Sequence, residues 1–395
     1  TVPLLIGGAT TSAKHTAVKI AQHYNHEVVH VLDASRSVPV VEKLVNPKSR
    51  EAFAAEIKAK QDEERASFAV RRERKLVDFS EAQARKLALD WENYTAPKPA
   101  FTGVRDISAT VAELRPYIDW SPFFMTFELK GKHPKIFKDP VVGEIAKELY
   151  DDAQVILDQF EKDPSIVLKG VYGFFPAKSL GDTIVVYKDD SRAEELLRFE
   201  MLRQQWERVD QKAFRSLADY IDPTGKPDYL GAFAITAGHG VDEIAKKLRA
   251  EMEDSKSLLV QACADRLAEA FAEMLHERVR KEWGIQESLT KDDLIDEKYQ
   301  GIRPAAGYPS CPDHTEKQTL WKLLDAEQRA GISLTESYAM WPAASVSGLY
   351  FSHPEARYFA VDLITRDQVD DYAKRKGWPK STAERWLAPN LGYDA

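Results

Sequence analysis

The sequence predicts an α+β fold, in which a central antiparallel sheet with flanking helices is preceded by a remnant of a parallel α/β domain. Two observations lead to this prediction. Segments with helical and with strand-like apolar periodicity follow one another over 99–395 without regular β–α alternation, which favours an antiparallel sheet. Only the segment 2–32 shows the order strand, glycine turn, helix and strand that is typical of a parallel pair.

The first element is the apolar run 2–6, which predicts a short buried strand and ends in the glycine-rich turn 7–12. A helical pattern follows, and the run 28–32 predicts a second buried strand. Backbone N–H groups in such a turn can bind a phosphate or another polar group, although a plain tight turn explains the same residues. The spacing excludes a P-loop. Because two strands cannot complete a doubly wound sheet, we interpret this part as a fragment and expect Thr1 to be a cut within a longer protein.

A domain boundary is predicted where the composition changes. Residues 47–89 are charged and helix-prone, and the proline-containing segment 95–99 interrupts the helical pattern. We therefore divide the chain into an N-terminal remnant at 1–70, a linker at 71–98 and the main domain at 99–395.

The main domain is predicted to mix helices and strands. Residues 365 and 381 each begin a capping-box pattern, which predicts the starts of the last two helices. The elements predicted before them are an amphipathic helix at 141–160, a hairpin of 170–175 with 183–187, a strand at 229–236, a long helical region at 241–283, and paired strands at 345–351 and 357–363.

Composition excludes several classes of function. The chain has 395 residues, enough for two domains, and 44% of them are hydrophobic, enough for a sizeable core. The net charge of -8 argues against nonspecific nucleic-acid binding, which needs a basic face. No apolar run approaches the roughly 18 residues of a membrane helix, so we expect no membrane partner. The two cysteines are too few for a disulfide framework, which favours a cytoplasmic location.

No metal site is predicted. Cys311, Asp313 and His314 lie close together, but no second Cys or His pair occurs at finger spacing. The chain also has no H-E-x-x-H motif, no G-x-S-x-G elbow and no complete nucleotide-binding fingerprint. We therefore expect neither a catalytic side chain nor a metal ligand here.

The segment 303–309, Arg-Pro-Ala-Ala-Gly-Tyr-Pro, is the most informative of the chain. Its two prolines fix φ and remove backbone donors, and Gly307 permits positive φ. Arg303 supplies a planar fork that can bind a carboxylate, and Tyr308 supplies a rigid ring with one polar tip. Such a loop can present a cation and backbone groups to a small anionic ligand, although an ordinary surface connection can have the same composition.

This loop and the residues that follow it at 309–317 resemble the activation domain of cobalamin-dependent methionine synthases. The resemblance is collinear and extends from the first residues to the last. Four further stretches carry it: Tyr-Ile-Asp-Trp-Ser-Pro-Phe-Phe at 117–124, Ala-Asp-Arg-Leu-Ala-Glu-Ala-Phe at 264–271, Ala-Met-Trp-Pro-Ala-Ala-Ser-Val-Ser-Gly at 339–348, and Trp-Leu-Ala-Pro-Asn-Leu-Gly-Tyr at 386–393.

The resemblance implies a C-terminal reactivation module. It would bind S-adenosylmethionine and support the reductive methylation of oxidised cobalamin, which restores the methyl transfer that makes methionine from homocysteine. The full-length protein would be a methyltransferase, and we expect this fragment alone not to complete the reaction. Two alternatives stay open: a module that binds S-adenosylmethionine or flavodoxin without turnover, and a stand-alone enzyme that uses Asp119 and Glu269 for acid–base work.

The resemblance also implies polar contacts to S-adenosylmethionine. Arg303 would bind the carboxylate and Asp119 the ammonium, and Glu269 would belong to the same site. From the pattern alone, Asp119 caps a turn, and Glu269 belongs to a solvated charged line with Asp265 and Glu273.

Backbone and aromatic contacts complete the implied site. Ala305 and Gly307 would allow close approach of adenine to the backbone. Tyr308 and Tyr358 would form walls for adenine or for the sulfonium, a cation that is attracted to ring faces. The pattern alone favours core packing for both tyrosines.

The resemblance places Gly8, Thr10 and Ala34 at the end of a cobalamin domain, where the nucleotide tail of the cofactor is bound. The Asp-x-His-x-x-Gly motif of the family, which supplies the cobalt ligand, is absent, so we expect an incomplete cobalamin site. The zinc of full-length enzymes belongs to a homocysteine module that this chain does not contain. The implied partners are flavodoxin, or an equivalent reductase, and the cobalamin domain of the same protein.

Overall fold

The computed structural model confirms the predicted α+β class. The chain divides into two compact units, Thr1–Leu76 and Val77–Ala395, so the predicted linker at 71–98 spans the division. The smaller unit contains a two-stranded parallel sheet, and the larger one a six-stranded antiparallel sheet. The structure describes residues 2–7, 12–31, 37–72, 74–209, 211–290, 293–294 and 296–394.

In the smaller unit, β1 (Leu4–Gly7) pairs in parallel with β2 (Val28–Val31), as predicted from the two apolar runs. The described part of the connection between them contains α1 (Ala13–His15), followed by the π-helical segment Thr16–Ile20 and the 3-10 helix Ala21–His23. It begins where the Ser12 hydroxyl accepts the N–H of His15.

Two further helices, α2 (Ser37–Val45) and α3 (Arg50–Arg72), complete this unit. The Gln61 amide on α3 donates to the Val28 carbonyl at 2.6 Å. The Arg65 guanidinium donates to the Ala17 carbonyl at 3.1 Å. These bonds hold α3 against both the sheet and the helical connection.

The larger unit is organised around one central sheet. Its strand order is β10–β7–β4–β5–β6. Strand β3 also pairs with β4, at residues 168–174, before the part of β4 that pairs with β5. A separate ribbon is formed by β8 and β9. The strands are β3 (Gly103–Ala109), β4 (Val167–Leu180), β5 (Thr183–Tyr187), β6 (Glu195–Glu200), β7 (Tyr229–His239), β8 (Ser333–Leu334), β9 (Met340–Trp341) and β10 (Ser345–Tyr350).

Helices cover both faces of this sheet. Among the described residues, no helix combines the length and the apolar character that crossing a membrane requires. The helices are α4 (Phe79–Ala84), α5 (Val111–Leu114), α6 (Ser121–Thr126), α7 (Gly143–Lys162), α8 (Val241–Ala250), α9 (Asp254–Glu282), α10 (Glu316–Leu324), α11 (Ala326–Ala330), α12 (Arg366–Lys376) and α13 (Lys380–Trp386).

Strand β7 explains why the sheet has two cores. Its odd-numbered side chains, such as Phe233 and Ile235, pack with α9 in one core. Its even-numbered side chains, such as Leu230 and Ala232, pack with α10 in the other. Because successive strand residues point to opposite faces, a strand buried on both faces is a continuous apolar run. The predicted strand at 229–236 is therefore confirmed and extends to His239.

The predicted pairing of 345–351 with 357–363 is wrong. Strand β10 pairs instead with β7, and 357–363 forms no strand. The apolar residues of the second segment have another use, since Val361 is fully buried in a small core beneath α12 and α13, with Phe359 packed against that core. Alternation there reflects burial without a partner strand.

Two other predictions need adjustment. The predicted hairpin forms, but its paired residues are Ala177–Leu180 and Thr183–Val186, and the segment 170–175 pairs with β3 and β7. The helical region 241–283 consists of two helices, because the chain turns at Met252, where φ is 59°.

A buried ion pair between α10 and α12 gives a testable pH dependence. The Lys376 ammonium donates to Glu316 Oε1 at 2.6 Å. Burial raises the pKa of the Glu316 carboxyl to about 7, against an ordinary value of 4.5, because the attraction of Lys376 does not offset the loss of water. The folded state therefore binds this proton more tightly than the unfolded state. The resulting contribution to the free energy of unfolding falls as the pH rises from about 4.5 to about 7.

We expect the substitution Glu316→Gln to remove this contribution. Urea unfolding of both proteins between about pH 5 and about pH 7 would measure it. The stability of the wild-type chain, relative to the variant, should decline with rising pH. Parallel pH profiles for the two proteins would contradict the assignment.

Candidate functional site

The loop at 303–309 lies along the outer edge of the central sheet, beside β10. Ile302 and Phe351 exchange N–H···O bonds at 3.1 and 3.0 Å. Two residues further along each segment, the Leu349 N–H donates to the Pro304 carbonyl at 2.9 Å. The backbone on both sides of Arg303 is therefore fixed to the sheet.

The second half of the loop is a tight turn. The Gly307 N–H donates to the Cys311 carbonyl at 2.7 Å, and the Cys311 N–H donates to the Tyr308 carbonyl at 2.9 Å. Gly307 has a φ of +94°, which disfavours any residue with a side chain. A Cβ atom at this position would also lie 2.3 Å from the ring of His314. The turn therefore requires glycine for two independent reasons.

The His314 ring is itself held in place. The Lys317 ammonium lies 3.1 Å from its Nδ1 and donates to the Tyr338 carbonyl at 3.0 Å. Desolvation and the charge of Lys317 lower the pKa of His314. A neutral imidazole thus packs against the glycine turn at neutral pH.

Arg303 is bound on two sides. Its backbone N–H donates to the Tyr358 hydroxyl at 3.0 Å, and its Nη2 forms an ion pair with Glu273 Oε1 on α9. The two charged side chains are only 14% and 15% exposed. Burial alone would lower the pKa of Arg303, but the charge of Glu273 outweighs it and raises the pKa. The guanidinium is therefore a permanent cation.

The pair leaves one guanidinium nitrogen and one carboxylate oxygen without a hydrogen-bond partner among the residues that the structure describes. Within the described part of the chain, neither Nη1 of Arg303 nor Oε2 of Glu273 has a partner. An arginine and a carboxylate can form two parallel bonds, and here they form one. One nitrogen of the guanidinium and one oxygen of the carboxylate are therefore buried without a partner among the described residues.

Aromatic and basic side chains surround this pair. The His276 ring lies 4.6 Å from the ring of Tyr299 and 5.1 Å from that of Tyr350. The Arg280 guanidinium lies 4.5 Å over the Tyr299 ring. Burial, together with the charges of Arg303 and Arg280, lowers the pKa of His276 well below its ordinary value. The imidazole therefore adds no charge.

The predicted site residues fall into two groups. Ala305, Gly307 and Tyr308 share the turn, and Tyr358 contacts Arg303 directly. Tyr308 and Tyr358 are 63% and 44% exposed as whole residues, so core packing does not account for them. A pocket of about 530 Å³ opens beside Tyr358 and is lined in part by Ile302 and Tyr299.

The two predicted carboxylates have other positions. Asp119 Oδ1 accepts the Ser121 N–H at 2.9 Å at the start of α6, which is the capping role that the pattern alone favours. Glu269 is exposed on α9, one turn before Glu273. The prediction of a solvated line at Asp265, Glu269 and Glu273 is wrong for its last member, because Glu273 is largely covered by its contact with Arg303 and is only 15% exposed.

Sequence reasoning missed Glu273, His276 and Tyr299. Glu273 occurs at helical spacing from two exposed carboxylates, and no local signal separates it from them.

The predicted cobalamin-binding residues Gly8, Thr10 and Ala34 lie outside the described residues. Over the described ranges, no three His, Cys, Asp or Glu side chains are grouped as a metal ion would require.

Comparison with known proteins places this geometry in a family. A family model described as vitamin B12 dependent methionine synthase, activation domain, matches residues 110–377, which include every predicted S-adenosylmethionine-binding residue. The chain is also similar to a solved structure described as the MetH reactivation domain bound to AdoHcy. The identity is 51% and the TM-score 0.79, and the match covers 81% of this chain and 99% of the other.

Proposed function

Because the chain belongs to the activation-domain family of vitamin B12 dependent methionine synthases, we propose that it binds S-adenosylmethionine and supports the reductive methylation of oxidised cobalamin. This reaction restores the methyl transfer that makes methionine from homocysteine. The observation that carries the proposal is the guanidinium of Arg303 beside the glycine turn, which is held by Glu273 and has one buried nitrogen without a partner among the described residues. The similar domain described as bound to AdoHcy supports this ligand class, since AdoHcy is what S-adenosylmethionine becomes after it loses its methyl group.

We propose that the amino-acid end of the ligand lies at Arg303. Its carboxylate would pair with the guanidinium, and its ammonium would face Asp119, with Glu269 adding negative charge on α9. The ordered loop supports the first assignment, because Arg303 is fixed on both sides by backbone bonds to β10. Because the guanidinium is already held in position, binding loses less conformational entropy than it would with a mobile arginine.

The adenosine end would lie along the turn. The backbone of Ala305 and Gly307 would contact adenine, and the exposed rings of Tyr308 and Tyr358 would face adenine or the sulfonium. The lack of bulk at Gly307 permits close approach of the base to the backbone.

The proposed chemistry requires positioning more than acid–base catalysis. The methyl group of a sulfonium is already activated, so the chain has to bind the donor, orient its methyl group and keep water away. S-adenosylmethionine supplies the methyl group, and cobalamin accepts it after one-electron reduction. The side chains described at this site need to donate or remove no proton. We infer that flavodoxin, or an equivalent reductase, provides the electron.

The described residues of the smaller unit comprise one strand pair and helices, and the sequence lacks the motif that supplies the cobalt ligand. We therefore propose that the cobalamin domain of a longer protein provides the cofactor, with 1–70 as a remnant of that domain, 71–98 as a linker and 99–395 as the activation domain. The zinc of the homocysteine module has no part in this chain.

The proposal is tested by calorimetric titration of the 395-residue chain with S-adenosylmethionine and, separately, with S-adenosylhomocysteine. We expect saturable binding of both ligands with one site per chain. A folded chain that binds neither ligand would contradict the proposal. Binding without any methyl transfer to an added cobalamin domain would instead favour a binding module with no turnover.

A further inference from the structure

One face of α9 meets the segment 299–303. Glu273, His276 and Arg280 are three and four residues apart, so they lie on one side of the helix. Each makes a described contact with that segment, through Arg303 or through Tyr299. This face of α9 therefore packs against Arg303, the residue proposed to bind the ligand carboxylate. We call this face the α9 wall.

Several buried side-chain polar atoms along the α9 wall have no hydrogen-bond partner among the described residues. Buried donors and acceptors usually find partners, and unpaired ones concentrate at functional sites. Among the described side chains, five buried polar atoms without a partner gather here: Glu273 Oε2, His276 Nδ1, Arg280 Nη1, Arg303 Nη1 and Tyr350 OH.

Glu273 is the group that fixes the end of the Arg303 side chain. The backbone of Arg303 is held by Tyr358, but four torsions separate that backbone from the guanidinium. Arg280 does not compete for Glu273, because its Nε donates to Glu287 at 2.8 Å. The rings of His276, Tyr299 and Tyr350 are neutral and cannot balance the charge. A buried guanidinium without a counter-charge is strongly disfavoured and leaves its pocket.

We propose that Glu273 is a positioning residue, which holds Arg303 charged and oriented so that a ligand carboxylate meets a preset cation. The inference rests on the proposed function and deepens it, since it identifies the group that sets selectivity for an amino-acid head. Glu273 occupies one nitrogen of the fork and leaves the other without a partner among the described residues. On this proposal the ligand carboxylate binds that buried nitrogen, with Glu273 still paired to the other.

The test compares two ligands that differ in the amino-acid head. S-adenosylhomocysteine carries the α-carboxylate, and 5′-methylthioadenosine has the same nucleoside and thioether without it. In Glu273→Gln, the affinity for S-adenosylhomocysteine should fall about tenfold, because binding must then immobilise a long side chain. The affinity for methylthioadenosine should change less than about twofold. Equal weakening of both ligands would indicate a merely structural role and overturn the proposal, as would an unchanged or tighter affinity for S-adenosylhomocysteine.

Glu282→Gln is the matched control. Glu282 lies on the same helix, is 19% exposed and pairs with Arg278 at 3.0 Å, away from the loop. Its substitution should leave both affinities unchanged. The double variant Arg303→Ala/Glu273→Gln should bind S-adenosylhomocysteine no more weakly than Arg303→Ala does, because Glu273 acts through Arg303. An additional loss in the double variant would count against the proposal.

A measurement on the wild-type chain covers the case in which Glu273→Gln does not fold. The guanidinium NMR signal of Arg303, assigned by its loss in Arg303→Ala, should show hindered rotation before ligand is added. Fast rotation, like that of exposed arginines, would overturn the proposal. Failure of this inference differs from failure of the proposed function, since in the second case the wild-type chain does not bind S-adenosylhomocysteine at all.

Discussion

Replacing Arg303 with alanine is expected to weaken S-adenosylhomocysteine binding by about 2–3 kcal/mol, or roughly 30- to 150-fold. The substitution removes the cation that the ligand carboxylate needs when it leaves water. It also leaves Glu273 without its partner, so the thermal midpoint should fall as well. Calorimetric titration measures the first effect and thermal unfolding the second.

Arg329→Ala provides a matched control for this experiment. Arg329 is more exposed, pairs with Asp106 at 3.0 Å and belongs to α11 rather than to the loop. Its loss should leave the ligand affinity unchanged. If the Arg303→Ala variant binds S-adenosylhomocysteine with an affinity within about threefold of the wild-type value, Arg303 does not contact the ligand.

Replacing Gly307 with alanine is expected to disrupt the turn and to weaken ligand binding at least about tenfold. Alanine at a φ of +94° is strained by roughly 1–2 kcal/mol, and its Cβ would press on the His314 ring at 2.3 Å. The adenine-facing backbone would therefore move. Titration with S-adenosylhomocysteine and with methylthioadenosine should show a loss for both ligands, since both carry adenine.

Two further variants separate the causes. Adding His314→Ala to Gly307→Ala removes the clash but not the strain, so affinity should return only in part. Gly377→Ala tests strain alone, because Gly377 also has positive φ, at +66°, but has open space around its Cβ direction. It should lower stability without affecting ligand binding. Undiminished binding by Gly307→Ala would show that the turn does not contact the ligand.

The fold could be predicted where local pattern and burial agree. Strand β7 was predictable because burial on both faces produces an uninterrupted apolar run, and α7 because one of its faces is apolar. The segment 357–363 was not, since its apolar residues are buried by α12 and α13 without pairing to a strand. A pattern reports which side chains are buried, and it does not report what covers them.

The candidate site divides in the same way. Arg303 and Gly307 could be identified because a planar cation and a glycine between prolines have few structural roles, and family resemblance then supplied the ligand. Glu273 could not be distinguished from Glu269 or Asp265, because all three share one helical line. Only the tertiary packing of α9 against 299–303 covers most of Glu273 and leaves Glu269 and Asp265 exposed.

We propose that this chain presents the methyl group of S-adenosylmethionine to cobalamin. The most direct test of this proposal supplies methyl-labelled S-adenosylmethionine, a one-electron reductant such as flavodoxin, and a separately prepared cobalamin domain carrying oxidised cofactor. We expect label to appear on cobalamin only when the chain is present, and to be nearly lost with Arg303→Ala. Label transfer at the same rate with and without the chain, under conditions in which the chain is saturated with ligand, would contradict the account.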